Sequence, residues 1–480
     1  MYNKFGQFID GTWQEAEKKE TYDVINPATE EVIGSASKAS SSDVQRALKS
    51  AQKGLKVWSG TTPWQRSYVL RKIADLMREK KDILAKWLTL EVGKPLLEGV
   101  GEVGGAADIF EWNAEETKRI YGQTVQSRFP ETRVHVYYQP VGVVAALIPW
   151  NFPIVLAARK ISTALAAGCS VICKPDVITP GAVMELVDIC KQAGVPDGVV
   201  NLLSGDPAEI SNELLESDIV KKVSITGSTR VGKLILKKAA DKVQRVTMEL
   251  SGHSPFIVCD DVNIDNVADI AIAAKFRNNG QVCISPNRFY INEKKKDEFV
   301  NLFIEKTKKL KIGDGMDPST QLGPLTTKKR LNEIEELVEK TKQEGAKVLL
   351  GGKRPAGFNK GFFYEPTVFD NVKDDFTIMK QEPFGPLVPM LSFKSFDEVI
   401  ERANNHELGL SSYICTNSME KAHKASELME TGTVAVNTPL VAIAEAPFGG
   451  IKQAGYGREG GSMAIKDYLN VKYTHIGLKG

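Results

Sequence analysis

The chain has 480 residues, of which 42% are hydrophobic and 25% charged, as expected for a soluble globular protein of about three domains or one large composite. Its 62 Lys and Arg residues nearly balance 60 Asp and Glu residues, which disfavours nucleic-acid binding. No apolar run approaches ~20 residues and the opening residues lack a signal-peptide pattern, so neither a membrane span nor secretion is expected. Six scattered cysteines predict neither a disulfide framework nor a metal centre, and the cytoplasm is the expected compartment.

The predicted elements begin with short edge strands in residues 1–40, followed by helical periodicity over residues 42–121. Residues 133–140 alternate between apolar and polar side chains, as an exposed strand does. From residue 141 to about residue 250, short β-branched runs alternate with helical patterns, for example "SVICKP" followed by "GAVMELVDICKQAG". Such alternation predicts a parallel sheet covered by helices on both faces.

The second half of the chain repeats this organisation more loosely. Residues 255–450 alternate between strand and helix patterns and predict a second α/β domain. The final segment, residues 468–478, is rich in β-forming residues but has no local partner. We expect it to pair with residues 133–140 or with another subunit.

A glycine turn in "SITGSTRVGKLI" is the first motif that suggests chemistry. Gly227 and Gly232 bracket a turn whose backbone N–H groups can face a phosphate at a helix N-terminus. The stretch nearly matches the phosphate-binding loop of nucleotide hydrolases, but Leu234 stands where the Mg²⁺-binding hydroxyl is required. An ordinary strand–helix connection remains the alternative interpretation.

Two further polar residues lie in apolar surroundings. Asn151, in "PWNFP", lies between an apolar strand and a helix, where its amide can stabilise an oxyanion or cap the helix. Glu249, in "MELSG", lies in an apolar run, where a carboxylate is either part of an ion pair or has a chemical role.

Cys283 is the strongest candidate nucleophile, because the polar stretch "FRNNGQVCIS" contrasts with the apolar surroundings of the other five cysteines. The side chains before it offer donors and positive charge, which we expect to favour the thiolate: Lys275, Arg277, Asn278, Asn279 and Gln281. No histidine lies near it in the sequence, so a Cys-His dyad would need a distant partner.

These motifs, in their order along nearly the whole chain, resemble the aldehyde dehydrogenase superfamily: "PWNFP", "KP" at 174–175, "TGST", "MELSG", "GQVC", "EPFGP" and "PFGGIKQAG". The resemblance implies an α/β fold with a Rossmann-like coenzyme-binding domain, an α/β catalytic domain and a bridging β-strand oligomerisation segment. The boundaries expected are residues 1–120 and 141–250, residues 251–450, and residues 121–140 and 451–480, respectively. The bridging segment implies a homodimer or a homotetramer.

The resemblance also implies roles for individual residues. Cys283 would attack the aldehyde to form a thiohemiacetal and then a thioester, Asn151 and the Cys283 N–H would hold the oxyanion, and Glu249 would activate the hydrolytic water. No metal is implied, and the coenzyme would be NAD or NADP. The coenzyme-binding residues implied by the motifs are Pro149, Trp150, Lys174, Gly227, Ser228, Glu382 and Phe384.

The choice of coenzyme depends on the residue three positions after Lys174. NAD-preferring members often carry a glutamate there, whereas this chain has Val177, preceded by Asp176. Arg230 also replaces a commonly acidic residue in the phosphate turn. We expect NADP to be accepted, and a preference for NADP over NAD is left open.

Within the superfamily the chain is most similar to the succinate-semialdehyde dehydrogenases. Arg159 and Arg277 match the pair that binds the substrate carboxylate there, although Arg159 could instead lie on the surface of an amphipathic helix. Ala442 replaces the serine of that carboxylate site, and Ser285 replaces the second cysteine of a redox switch. Glutarate semialdehyde, a sulfonated aldehyde, lactaldehyde and a broad range of aldehydes therefore stay open as substrates. A nucleotide hydrolase and a non-catalytic member of the superfamily are the competing functions.

Overall fold

The computed structural model describes residue 2 and residues 5–478. Its helices, in chain order, are α1 Ser41–Trp58, α2 Pro63–Glu79, α3 Lys81–Val92, α4 Leu96–Glu116, α5 Pro153–Ala167, α6 Gly181–Gln192, α7 Pro207–Glu216, α8 Thr229–Asp241, α9 Ile264–Phe276, α10 Lys296–Thr307, α11 Lys328–Gln343, α12 Thr377–Lys380, α13 Phe396–Asn404 and α14 Met419–Leu428. None of these described helices is long and apolar enough to cross a membrane.

The strands, in the same order, are β1 Gln7–Ile9, β2 Thr12–Gln14, β3 Thr21–Ile25, β4 Val32–Ser37, β5 Gln123–Val125, β6 Thr132–Pro140, β7 Val143–Leu147, β8 Ser170–Lys174, β9 Val200–Leu202, β10 Val220–Thr226, β11 Arg245–Glu249, β12 Ser254–Val258, β13 Pro286–Asn292, β14 Lys347–Leu350, β15 Thr367–Asp370, β16 Leu387–Phe393, β17 Leu408–Gly409, β18 Ser411–Cys415, β19 Thr433–Val436, β20 Ile451–Lys452, β21 Gly455–Tyr456 and β22 Leu469–Gly477.

The first large sheet has the strand order β2-β1-β9-β8-β7-β10-β11-β21, and its central strands β9, β8, β7, β10 and β11 are parallel. Every residue of β7 and of β8 is buried, because helices cover both faces of the sheet. The carboxyl ends of parallel strands meet at one edge of a sheet, which is where ligands bind in such folds. This edge carries the turns after β7 and β10 and the last residue of β11, Glu249.

The second sheet has the order β14-β15-β16-β13-β12-β18-β19 and is parallel except for the edge strand β14. The strand–helix alternation of residues 141–250 predicted a parallel sheet, and this prediction is confirmed by the first sheet. The segment Cys283 to Ser285 lies between α9 and β13, so it enters the second sheet at one of its central strands.

A third sheet, in the order β22-β6-β5, is antiparallel. Residues 469–477 pair along their whole length with residues 132–140, which confirms the predicted pairing. The rest of the tail has other partners: β20 pairs with β17, and β21 extends the first sheet beside β11. Gly455 permits this last pairing, because a Cβ there would lie 2.4 Å from the backbone oxygen of Met248.

Candidate active site

Two cavities meet at Cys283 and Asn151, which line both of them. The first, of about 160 Å³, contains most of the predicted coenzyme contacts: Pro149, Trp150, Gly227, Ser228, Glu382 and Phe384. The second, of about 540 Å³, contains the three predicted substrate contacts, Arg159, Arg277 and Ala442. The arrangement places a nucleophile and an amide at the junction of two chambers.

Cys283 follows a tight turn at the end of α9. Asn278 and Asn279 adopt left-handed backbone conformations (φ 49° and 53°), which asparagine tolerates better than most residues. Burial, then the nearby carboxyls of Glu382 and Glu249, raise the pKa of the Cys283 thiol to about 12. The thiol is therefore neutral at pH 7 in this state, and it must lose its proton to react.

The expectation that the neighbouring polar side chains favour the thiolate is wrong for all but one of them. Arg277 does lower the pKa of Cys283, although burial outweighs its effect. The other side chains donate elsewhere: Asn278 to the oxygens of Asn151 (3.1 Å) and Gln281 (3.3 Å), Asn279 to Gly323 O (2.9 Å), Gln281 to Asn278 O (3.0 Å) and Lys275 to Asn287 Oδ1 (2.7 Å). Two of these bonds satisfy backbone carbonyls within the turn, and the others connect this segment to residues outside it.

Hydrogen bonds of both the side chain and the backbone hold Asn151 in place. Its Nδ2 donates to Gln281 O at 3.0 Å, and because an amide carries two N–H bonds, one remains for a ligand. Its backbone oxygen accepts from Lys94 Nζ at 2.9 Å and from Asn278. The alternative that Asn151 caps α5 is wrong, since Phe152 occupies the cap position and contributes no side-chain bond.

Glu102 of α4 instead accepts hydrogen bonds from the backbone N–H groups at the start of α5. Its Oε1 accepts from the backbone nitrogens of Ile154 (3.1 Å) and Val155 (3.3 Å), and its other oxygen pairs with Lys94. Both members of this pair are buried, and the Lys94 ammonium also lies 3.6 Å from the centroid of the Phe152 ring. The turn that carries Asn151 is thus fixed by a buried ion pair.

Glu249 has no such partner. It is buried at the end of β11, and neither of its carboxyl oxygens hydrogen-bonds to any residue that the structure describes. The alternative of an ion pair is therefore wrong, because Lys160 pairs with Glu459 instead. Burial, and next the Glu459 carboxylate, raise the pKa of Glu249 well above its ordinary value. Gly449 lies against it, since a Cβ there would be 2.7 Å from Oε1.

The glycine turn after β10 has the form of an anion cradle. Ser228 caps α8 by accepting from Val231 N (3.3 Å), and the nearest atom to a Cβ built on Gly227 lies 4.0 Å away. Lys174, at the end of β8, is buried, and its ammonium makes no hydrogen bond or ion pair with another described residue. An open turn and an unpaired buried cation both fit a dinucleotide coenzyme.

The other end of this cavity is aromatic and acidic. Trp150 and Phe384 make an edge-to-face contact with ring centroids 5.4 Å apart. Glu382 accepts from Gly252 N at 3.1 Å, and burial raises its pKa to about 7. Arg330 lies over Phe384 at 5.7 Å from the ring centroid, lines the same cavity and lowers the pKa of Glu382. Sequence reasoning missed Arg330, because it lies in the charged run "KKR" that is typical of an exposed helix.

The two arginines of the larger cavity are free of carboxylate partners. Arg159 is 3% exposed, so its interpretation as a surface residue is wrong; it donates to the backbone oxygen of Glu459 (3.3 Å) and lies over Phe448. Arg277 lies over the ring of Phe152. Across the described residues, neither guanidinium is within ion-pair distance of an acidic side chain, so both can bind an anion.

The model of the aldehyde dehydrogenase family matches residues 13–474. The chain therefore belongs to the aldehyde dehydrogenase family. It is 42% identical to a glutarate-semialdehyde dehydrogenase of Pseudomonas putida, over 98% of this chain and 97% of the relative. It is 40% identical to an NADP-dependent succinate-semialdehyde dehydrogenase of Escherichia coli, with the same coverage. The crystal structure of an NADP-dependent enzyme of Escherichia coli superimposes with a TM-score of 0.97 at 40% identity, covering 100% of this chain and 99% of that one.

Proposed function

We propose that this enzyme oxidises a small aldehyde with a distal anion, such as succinate semialdehyde or glutarate semialdehyde, to the carboxylic acid with NAD or NADP. The observation that carries the proposal is the pair of unpaired guanidinium groups, Arg159 and Arg277, in the cavity that also holds Cys283. A planar guanidinium binds a carboxylate through two parallel hydrogen bonds. The relatives named for the four- and five-carbon semialdehydes support the same class of substrate.

The side chains at the junction have complementary tasks. The Cys283 sulfur, after losing its proton to water, attacks the carbonyl carbon, and the new oxyanion accepts from the free N–H of Asn151 and from the Cys283 backbone N–H. The bound coenzyme would accept the hydride that leaves this carbon, and the adduct would thereby become a thioester. Glu249 then takes a proton from the water that attacks the thioester, and its partner-free carboxyl group in an apolar setting is suited to this. The acid leaves and Cys283 is regenerated.

The coenzyme is proposed to lie along the edge of the first sheet. Lys174 would bind the adenosine ribose, Gly227 and Ser228 the pyrophosphate, and Glu382 the nicotinamide ribose, with Phe384 and the Pro149–Trp150 turn packing beside the nicotinamide. The turn at Gly227 is open, because the nearest atom to a Cβ there lies 4.0 Å away, whereas Glu382 is already hydrogen-bonded to Gly252 N and to the Ser251 side chain.

NADP is proposed to be accepted as well as NAD. Val177 lines a cavity of about 800 Å³ together with Lys38, whose ammonium lies 3.4 Å from a Glu20 carboxylate oxygen. Position 177 therefore brings no carboxylate to this cavity. Comparing kcat/KM for NADP and NAD tests this proposal, with Lys38→Gln expected to weaken NADP selectively. Strict dependence on NAD would refute it.

The third sheet is proposed to form a homodimer or homotetramer. Strand β22 is an edge strand that exposes a row of large apolar side chains, of which Val471 is 65% and Tyr473 is 70% exposed. Such a strand can pair with a second copy. Light scattering on the wild type and on Val471→Lys tests this; a wild-type monomer would refute the proposal.

A panel of aldehydes tests the proposed function directly. We expect NAD(P)H formation with succinate semialdehyde, glutarate semialdehyde and a sulfonated aldehyde to exceed that with lactaldehyde, propanal and benzaldehyde. Cys283→Ser is the control and should abolish every activity. If no aldehyde reduces either coenzyme, the proposed function is wrong. If propanal and succinate semialdehyde are oxidised with equal kcat/KM, the proposed anion-binding role of Arg159 and Arg277 is wrong.

A further inference from the structure

The segment that joins the two large sheets near the C-terminus crosses between them at Gln453. Strand β20 ends at Lys452 and pairs with β17, which leads into β18 of the second sheet, whereas β21 begins at Gly455 and pairs with β11 of the first sheet. Only Gln453 and Ala454 lie between the two strands, and the backbone oxygen of Ala454 accepts from Leu250 N at 2.9 Å. Gln453 therefore carries the polar side chain at this crossing.

Gln453 forms hydrogen bonds to both sides of the crossing. Its Oε1 accepts from Lys233 Nζ at 2.6 Å, and its backbone oxygen accepts from Thr229 Oγ1 at 3.2 Å; both partners belong to α8. On the other side, its Nε2 donates to Glu407 Oε2 at 3.0 Å, and its backbone nitrogen donates to Glu407 O at 3.0 Å. An ammonium only donates and an ionised carboxylate only accepts, so the amide of Gln453 suits this pair because it offers an acceptor and a donor.

Helix α8 begins at the turn that is proposed to bind the coenzyme pyrophosphate. Thr229 is its first residue and follows Ser228, which caps the helix. The backbone nitrogen of Thr229 donates to Ser251 Oγ at 3.4 Å, and the Ser251 side chain is hydrogen-bonded to Glu382, the proposed contact for the nicotinamide ribose. Hydrogen bonds therefore connect Gln453 to the groups proposed to bind both parts of the coenzyme.

Few buried side chains hold α8 in place. Of its 13 residues, only Gly232, Ile235 and Ala239 are buried. The network described above also borders open space, because its members line a cavity of about 730 Å³: Thr229, Ser251, Glu382, Glu407 and Gln453. The hydrogen bonds at the first turns of α8 therefore contribute more to its position than they would in a fully buried helix.

We propose that Gln453 is a positioning residue that holds the start of α8 in register with Glu382 and thereby sets the affinity for the coenzyme. The inference rests on the proposed function, because the coenzyme contacts are part of that proposal. Loss of the Gln453 side-chain bonds frees α8 to move relative to Glu382, so the pyrophosphate and the nicotinamide ribose are bound together less often. Coenzyme affinity should therefore fall, whereas aldehyde binding should not change, because Gln453 does not line the larger cavity.

The chain offers a rescue variant and a matched control. Gln453→Leu removes both side-chain bonds, and Gln453→Glu keeps the acceptor but places two carboxylates side by side. Gln453→Glu/Glu407→Gln restores a donor opposite the new carboxylate. Gln192 is the control residue, because its amide likewise accepts from Lys80 Nζ (2.6 Å) and donates to Asp188 Oδ2 (2.7 Å) but lines neither the coenzyme cavity nor the adjoining one.

The dissociation constants of NADPH and NADH are measured by fluorescence titration, and KM is measured for the coenzyme and for succinate semialdehyde. We expect Gln453→Leu to raise the dissociation constant and the KM of the coenzyme about fivefold, with the KM of the aldehyde unchanged. Gln453→Glu should raise them at least as much. The double variant should return them to within about twofold of the wild type, and Gln192→Leu should leave them unchanged.

The outcomes separate this inference from the proposed function. If the wild type binds neither coenzyme, the proposed function is wrong and the inference is wrong with it. If the wild type binds a coenzyme but Gln453→Leu leaves its dissociation constant unchanged, or raises the KM of the aldehyde equally, only the inference is overturned. An equal effect in Gln192→Leu, or a double variant no better than Gln453→Glu, also overturns it. The comparison of Gln453→Glu with the double variant decides the matter if the leucine variant does not fold.

Discussion

The start of helix α5 and the region around Cys283 both contain buried polar groups. These groups have hydrogen-bond partners at the start of α5, whereas several of them around Cys283 have none. At the start of α5, the Lys94 ammonium, the Glu102 carboxylate and the Asn151 backbone oxygen all bond to one another or to backbone groups. Near Cys283, Glu249 lines neither cavity and has no hydrogen-bond partner among the described residues. Arg277, which lines the larger cavity, lies over the Phe152 ring, and no acidic side chain in the described part of the chain is within ion-pair distance of it.

This difference distinguishes the residues that hold the site in place from the residues that react or bind substrate. A buried polar group without a partner destabilises the fold, and it persists where substrate or water supplies the missing partner. The fully bonded region therefore holds Asn151 in place, while the unbonded groups are those that react or bind. Substitutions in the first region should reduce stability, and substitutions in the second should reduce activity alone.

Glu249→Gln should produce the largest effect and should sharpen this comparison. Removal of the water-activating carboxylate is expected to lower kcat about 100-fold or more. The free energy of unfolding should be unchanged or higher, because a buried ionisable group without a partner is replaced by a neutral isostere. Stopped-flow fluorescence should still record a first turnover of NAD(P)H, since the step that needs Glu249 follows it. Loss of the first turnover, or a marked loss of stability, would contradict the assignment.

Lys94→Met tests the opposite region. Breaking a buried ion pair leaves Glu102 as an uncompensated charge, so we expect the free energy of unfolding to fall by about 3 kcal/mol. Because Asn151 loses one of its supports, kcat should also fall for every aldehyde and with either coenzyme. Chemical denaturation measures the first effect. The double variant Lys94→Met/Glu102→Gln should recover part of the lost free energy of unfolding. An unchanged free energy of unfolding in Lys94→Met would contradict the claim that this ion pair stabilises the start of α5.

The pH dependence of Cys283 alkylation is the third prediction. Burial raises the pKa of Cys283 to about 12, so the thiolate fraction should grow about tenfold per pH unit from pH 7 to pH 10 without a plateau. Mass spectrometry after iodoacetamide treatment measures the rate, with Cys283→Ser as the control. Glu382→Gln removes the nearby carboxyl that most raises this pKa, and it should accelerate labelling severalfold at pH 8. A plateau near pH 7 would show that the thiol is already activated in the free enzyme.

Much of the fold could be predicted from the sequence, because strand–helix alternation and β-branched runs reflect burial on both faces of a parallel sheet. The pairing of residues 468–478 with residues 133–140 could also be predicted, since two alternating strands without local partners need each other. The positions of β20 and β21 could not, because two-residue strands leave no periodicity and depend on a glycine that allows close backbone approach.

The sequence indicated which residues form the site, but it indicated less well which interactions those residues make. Asn151 and Cys283 line the same two cavities although they are far apart in the chain, and Glu249 lies near enough to raise the pKa of Cys283. However, the donors near Cys283 are used by the turn itself, which depends on bond directions that spacing does not encode. Arg330 was missed, because a charged helix start has no distinctive pattern.

The central claim is that an anion held by Arg159 and Arg277 orients the aldehyde at Cys283. The most direct measurement is the ratio of kcat/KM for succinate semialdehyde to that for butanal in the wild type and in Arg277→Gln, at saturating coenzyme. Loss of a charged hydrogen-bonded contact of about 2 kcal/mol predicts that the ratio falls roughly 30-fold, almost entirely through the anionic substrate. An equal loss with both substrates, or an unchanged ratio, would contradict the claim.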